Sequence, residues 1–333
     1  MKNPFTQRVD FESFEEFFQK IVLENQKLDP GRTNHDKPLY RGHGSSEYKL
    51  VPSALREINT SLFVSRNSKE EASERAHIYG EFNRLGRYWS KSHSNGLMLP
   101  VDNDIADGIF LYDAPDYELF DKWPPKGIAE LLAHAQHQGM PTRALDWSRD
   151  IWVAAHFAAS GALDRCLHLA RSGESFDKEK MSIWQMDPNI SKYFAVAGEN
   201  SPLKRITPNY QMNTNAQRQD GTLTYWEIDM PYNDSTKPVD RRPLNELIVD
   251  FMHSSPIINE TLKNNPNYLK GTLAEFTIPA ADAPDALRKL SQFKYSPSKL
   301  FTNGVGILQE LKQEDNIKEF ESLQGPIYQF PQR

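Results

Sequence analysis

The sequence predicts an α+β fold, helices gathered around a mostly antiparallel sheet, and three observations carry that reading. Helical periodicity dominates the first half of the 333 residues. Strand-like segments, MSIWQM, LTYWEID and LAEFTIP, follow in the second half instead of alternating with helices as a doubly wound sheet requires. The glycine-rich cluster RGHG has neither Gly-x-Gly-x-x-Gly spacing nor the Lys-Ser/Thr of a phosphate loop, which disfavours a Rossmann or P-loop site.

Each element follows from local chemistry. Phe11, Phe14, Phe17, Phe18, Ile21 and Val22 recur at three- and four-residue steps, the apolar stripe of a helix packed on the main body. Ser13 and Glu16 have the spacing of a capping box at its start. After the turn-rich DPGRTNHDKP, Pro38 pushes Lys37 toward extended geometry, so LYRGHG begins as a short strand. Ser68 to Trp89 reads as one long amphipathic helix weakened by Gly80 and Gly86. Ser92 to Pro125 is a loop carrying Asp102, Asp104, Asp107, Asp113, Asp116 and Asp121, whose spacing matches no calcium loop. A third helix spans about Lys126 to Gln138, closed by Gly139 and then Pro141. A fourth runs from about Asp150 to Gly161, with Asp146 or Ser148 as its N-cap. A last helix covers Ala283 to Gln292, before a turn at Tyr295 to Ser298 and the apolar LFTNGVGILQEL.

Composition narrows the function classes. No apolar run is long enough to span a bilayer, and MKNPFTQRVDFESF has no signal-peptide character, so a cytoplasmic protein without a membrane partner is expected. Cys166 stands alone, which excludes an internal disulfide framework and a cysteine zinc site. A net charge of −6 excludes a nucleic-acid coating protein but leaves room for a local basic pocket.

Three stretches concentrate polar and special-geometry residues. In Tyr40, Arg41, Gly42, His43 and Gly44, a guanidinium follows a short strand and glycine lets backbone approach a ligand; Arg41 suits phosphate or carboxylate, or else a core ion pair. Gln136, His137, Gly139, Pro141, Thr142, Arg143, Asp146, Trp147 and Ser148 place several polar tips at one corner. His134 and His137 share a helix face there, without the Glu of a His-Glu-x-x-His zinc motif, so no metal is expected. The third stretch, NTNAQRQDGTL, brings Arg218 and Gln219 to a strand entrance beside the turn signal Asp220-Gly221, which also fits a plain surface hairpin.

Together these stretches resemble the FRG domain family, named for an aromatic-Arg-Gly motif. YRGHG with LVPSALRE is similar to its N-terminal signature, and AQHQGMPTRALDWS with AAHFAAS to its central one. RITPNYQMNTNAQRQDGTL is similar to its Gln-x-Gly stretch, and LFTNGVGILQEL to its closing segment, so the resemblance runs from Leu39 to Leu311. Gln138, Ala144 and LFTN depart from the family pattern. The resemblance implies a domain of residues 37–312, with a helical segment before it (1–36) and a tail after it (313–333). It also implies bacterial or phage defence or toxin settings. The order of early Arg, central strand-to-helix motif and late polar turn is similar to ADP-ribosyltransferases, which implies a split sheet, NAD as substrate, and a protein or nucleic-acid acceptor. An antitoxin or chaperone partner fits the same setting.

On that reading Arg41, His137, Asp146 and Gln219 are catalytic, and Tyr40, Arg41, Gly42, Thr142, Arg143 and Trp147 hold NAD. Two alternatives stand beside it. One is a hydrolase or nuclease, which needs His134, His137 and Asp146 to converge. The other is a non-enzymatic module in which Arg41 and Arg143 hold a phosphorylated ligand.

Overall fold

The structure is a computed structural model that describes residues 5–25, 37–63, 73–101, 106, 110, 121–187, 189–190, 201–231, 234, 236–265, 269 and 271–323. Its centre is a seven-stranded sheet built from β1 (Thr6–Asp10), β2 (Leu39–His43), β4 (Ala144–Ser148), β5 (Lys180–Met186), β6 (Leu203–Ile206), β7 (Gly221–Trp226) and β9 (Leu273–Pro279). The strand order is β1-β9-β5-β2-β4-β7-β6, and every neighbouring pair is antiparallel except β1 with β9. A two-stranded ribbon joins β3 (Lys122–Trp123) to β8 (Ile228–Asp229). The mixed, mostly antiparallel architecture expected from the sequence is therefore present.

The phenylalanine stripe forms α1 (Phe14–Asn25). Phe11, Phe14, Phe17 and Ile21 are buried in one core with the long α4 (Ile151–Arg171) and with α8 (Ala283–Gln292). Each such side chain contributes roughly 1.5–3 kcal/mol through burial, which outweighs any helix propensity term. The capping box is displaced by one residue on one side: Glu16 N–H donates to Ser13 Oγ at 3.1 Å, while the Glu16 carboxylate accepts from Glu12 N–H at 2.8 Å. Residues 6–10, read as part of a helical addition, instead form edge strand β1 on β9. At the other end, α10 (Asn303–Leu323) runs on through the residues read as a tail and buries Ile317 and Phe320 in the same core.

Glycine explains how β2 and α4 come together. A Cβ on Gly42 would lie 1.9 Å from the Ala154 carbonyl oxygen, and one on Gly44 would lie 2.4 Å from the Gly161 backbone. Strand and helix thus touch backbone to backbone at Gly42 and Gly44. Cys166 is buried in the same core.

The remaining described helices are α2 (Glu74–Ser94), α3 (Ala129–His137), α5 (Thr214–Arg218), α6 (Leu244–Ser254), α7 (Pro256–Asn264) and α9 (Pro297–Leu300). Gly139, at φ +89°, ends α3 as its sequence predicts. Two expectations need correction. Asp220-Gly221 joins α5 to β7, so the polar stretch before it is a short helix and not a hairpin strand. The fourth helix extends ten residues beyond Gly161, because Ala162, Leu163, Cys166 and Leu167 continue its buried face. Asp102, Asp104, Asp107, Asp113 and Asp116 lie outside the described residues. Among the described residues no helix is long and apolar enough to cross a membrane.

Candidate functional site

Strands β2 and β4 are sheet neighbours, yet they pair at one position, Tyr40 with Ser148. On their other sides each keeps a full five-residue ladder, β2 with β5 and β4 with β7. A cleft of about 400 Å3 is lined by both strands of this junction. Tyr40, Arg41 and Gly42 come from β2, Asp146, Trp147 and Ser148 from β4, and Gln136 and His137 from the end of α3. Gln219 enters from the turn before β7, while Phe157 on α4 and Phe301 form part of the wall. The volume lies within the range of about 300–1,000 Å3 typical of small-molecule sites.

Arg41 occupies the gap between the strands. Its Nη1 donates to the Asp146 carbonyl oxygen at 2.7 Å and lies 3.7 Å from Asp146 Oδ2. The guanidinium thus hydrogen-bonds a strand carbonyl where the β2–β4 backbone ladder is missing. From behind, Arg41 Nε donates to His43 Nε2 at 3.1 Å. His43 Nδ1 lies 3.1 Å from the Tyr48 carbonyl, which can only accept, so the ring is the Nδ1–H tautomer with its Nε2 lone pair turned to arginine. Burial, reinforced by the Arg41 charge, lowers the His43 pKa to about 3, so this acceptor stays neutral.

Asp146 is half-exposed and held from its other side. Thr142 Oγ1 donates to Gln136 Oε1, and Gln136 Nε2 donates to Asp146 Oδ1 at 2.7 Å. Thr142 is therefore a buried positioning residue behind the cleft, not a wall of it. Asp146 does not cap α4: Asp150 does, accepting from Trp152 N–H at 2.9 Å, and Ser148 Oγ accepts from Asp150 N–H at 2.9 Å. The same Ser148 hydroxyl donates to the Gln219 carbonyl at 2.6 Å, which fixes Gln219 beside β4, and Gln219 Nε2 donates to the Leu300 carbonyl at 3.1 Å. His137 Nδ1 lies 2.8 Å from the Ala133 carbonyl, so it is the N–H, and the Nε2 of the neutral ring carries the lone pair.

The four residues expected to be catalytic, Arg41, His137, Asp146 and Gln219, thus line one cleft, together with Tyr40 and Gly42. Of the residues expected to hold a ligand, Thr142 and Arg143 do not line the cleft, and Trp147 borders it with its ring turned away. Alternation along β4 sends the Trp147 ring to the opposite face from Asp146, where it is 3% exposed and donates Nε1–H to Thr224 Oγ1 at 2.8 Å. Arg143 is buried against Glu74 and Glu81, with Nε 2.6 Å from Glu81 Oε1. His134 turns to the Tyr88 hydroxyl at 2.8 Å and does not line the cleft, so His134, His137 and Asp146 do not form the triad a hydrolase would need. Among the described residues no group of three His, Cys, Asp or Glu side chains is placed to hold a metal ion.

Sequence reasoning missed His43 as a support for Arg41, although residues two apart on a strand share a face. Phe157 was also missed; it is 37% exposed on α4, and nothing in the sequence marks it off from the apolar residues around it.

No curated protein and no solved structure matches the chain. The family model of the FRG domain matches residues 109–165, which takes in the central motif but neither YRGHG nor the later segments. The chain therefore carries an FRG domain match over the stretch that supplies α3, β4 and the first two-thirds of α4 to the cleft.

Proposed function

We propose that the cleft binds NAD and that the protein transfers ADP-ribose from it to a protein or nucleic-acid acceptor, as a toxin or antiphage effector. The observation that carries this reading is the convergence of Arg41, His137, Asp146 and Gln219 on one cleft from three separate stretches of the chain. Breaking the bond between nicotinamide and ribose passes through a cationic, oxocarbenium-like ribose, so the site must hold the pyrophosphate, stack the leaving ring and face the sugar with negative charge.

Arg41 supplies the guanidinium for phosphate. Tyr40 and Phe157 supply aromatic surface, since the Trp147 ring is buried and donates to Thr224. Asp146 Oδ2, 3.7 Å from Arg41 and free of the Gln136 bond, faces the developing cation. Nicotinamide leaves with the bonding electron pair, the acceptor's nucleophile bonds to the anomeric carbon, and its proton passes to His137 Nε2. Gln219 orients a ribose hydroxyl or the acceptor. The single β2–β4 pairing supports the likeness to a split-sheet transferase, since the cleft lies at that break.

Incubation with NAD labelled in the adenylate half, in bacterial lysate, tests the reading. Label transfer with nicotinamide release by the wild type, and loss of both in Arg41→Ala, is expected. Absence of nicotinamide release from the wild type with every acceptor supplied overturns it and leaves a binding module. Expression in bacteria should slow growth, and Asp146→Asn should relieve it at equal soluble yield.

A further inference from the structure

The hydrogen-bond chain behind Asp146 has a direction, and its far end sets it. The Ala144 backbone N–H donates to Thr142 Oγ1 at 3.2 Å. A main-chain N–H can only donate, so the single hydrogen of the Thr142 hydroxyl is left to point at Gln136 Oε1. That turns the Gln136 amide with Nε2 toward β4, where it donates to Asp146 Oδ1 at 2.7 Å. The reverse amide setting would press a carbonyl oxygen against the carboxylate oxygen, two acceptors with no hydrogen between them. Thr142 is fixed in turn: its side chain is buried, its N–H donates to Ser53 Oγ at 3.1 Å and its carbonyl accepts from Ala54 N–H at 3.0 Å.

Asp146 is therefore held at two points, its own carbonyl by Arg41 Nη1 at 2.7 Å and its Oδ1 by Gln136. Oδ2 meets the guanidinium only at 3.7 Å, too long for a hydrogen bond, on a side chain more than half exposed. We propose that Gln136 is the positioning residue of the cleft: by donating to Oδ1 it selects the ionised carboxylate and leaves Oδ2 as the oxygen presented to the ligand. The negative charge is then already in place when the sugar becomes cationic, with no reorientation needed in the transition state. This rests on the reading of the cleft as an NAD site in which Asp146 faces the ribose.

Substitutions of Gln136 in the full chain test it. The ionisable groups lining the cleft are Tyr40 and Arg41 on β2, His137 on α3 and Asp146 on β4, so each rate is compared with the wild type at the same pH. Gln136→Met should lower kcat for nicotinamide release about tenfold with KM for NAD little changed, because the lost contact is to Asp146 and not to substrate. Gln136→Glu keeps the shape but sets a second carboxylate against Oδ1, and that contact survives only with a proton between the two, which like charge retains to higher pH. Its kcat should match that of Gln136→Met near pH 8 and approach the wild type near pH 5. Thr142→Ser should recover most of what Thr142→Val loses. A Gln136→Glu to wild-type ratio that is the same at both pH values, or a Gln136→Met loss confined to KM, overturns the positioning role and leaves the transferase. Nuclear magnetic resonance of the Gln136 side-chain amide reads the contact without turnover. One of its hydrogens should resonate downfield and lose that shift in Asp146→Ala. Absence of the downfield signal overturns the proposal, whereas its presence without nicotinamide release from the wild type supports the positioning and removes the transferase.

Discussion

Arg41 and Arg143 sit at the edges of the two polar motifs most suggestive of a ligand site, and the structure uses them in opposite ways. Arg143 faces two buried carboxylates, Glu74 and Glu81, which also take the Asp240 backbone N–H at 2.9 Å and the Trp123 indole N–H at 2.9 Å. With two anions around one cation, no positive charge is left for a ligand; the cluster ties α2 to the start of β4. Arg41 is 17% exposed in its side chain and meets one carboxylate at 3.7 Å, itself more than half exposed. A guanidinium on a strand beside glycine and histidine is therefore not in itself a ligand site. What separates the two is how many carboxylates are fixed around each and whether water reaches them.

The largest effect should come from the buried member. Arg143→Ala leaves two carboxylates uncompensated and should cost about 3–5 kcal/mol of unfolding free energy in urea melts. A loss no larger than that of Arg41→Ala would erase the distinction between the two arginines.

Acid should then separate the two regions. His43 has a folded pKa near 3 against an ordinary 6.5. The unfolded chain therefore takes up this proton first, and stability present above about pH 6.5 is lost steadily as pH falls toward 3. Between pH 6.5 and 4 this amounts to about 3 kcal/mol, and His43→Gln should flatten the slope measured by urea melts. The Glu81 carboxyl is pushed up by burial, but Arg143 and His77 outweigh that and hold it below its ordinary 4.5. Its contribution is present above that value and is lost only at lower pH, as the folded pKa is crossed. The Arg41 side should thus weaken first.

Arg41→Ala removes a charged hydrogen bond to the Asp146 carbonyl and should cost about 1.5–3 kcal/mol of stability, with at least a hundredfold loss of label transfer. Arg41→Lys should recover more of the stability than of the transfer, since an ammonium cannot present a planar fork. Trp147→Phe should have the smallest effect, about 1 kcal/mol for the lost bond to Thr224, with nicotinamide release unchanged; a tenfold fall in release would return Trp147 to the ligand's side.

Much of this layout was legible in the chain because it depends on local pattern. The Phe11 to Val22 stripe, the Gly139 stop and the short, largely apolar run MSIWQM each specify an element by themselves. Strand β1 was not legible: TQRVD has little apolar content, and its partner lies more than 260 residues away in β9. Arg41, His137, Asp146 and Gln219 could be picked by residue type. The face each presents depends on strand parity and on which acids lie nearby in space: parity turns the Trp147 ring away from Asp146, and Glu74 and Glu81, on a helix far upstream, hold Arg143 outside the cleft.

The solitary thiol gives these experiments an internal clock. Cys166 is fully buried between α4 and its neighbours, and burial pushes its pKa up to about 11, so a thiol reagent in neutral buffer finds neither access nor thiolate while the core is closed. Modification then proceeds at the rate at which the core opens, one event per molecule with no competing cysteine. Each variant can thus be sorted by labelling rate: one that loses activity with labelling as slow as the wild type has lost chemistry, and one that labels fast has lost its fold.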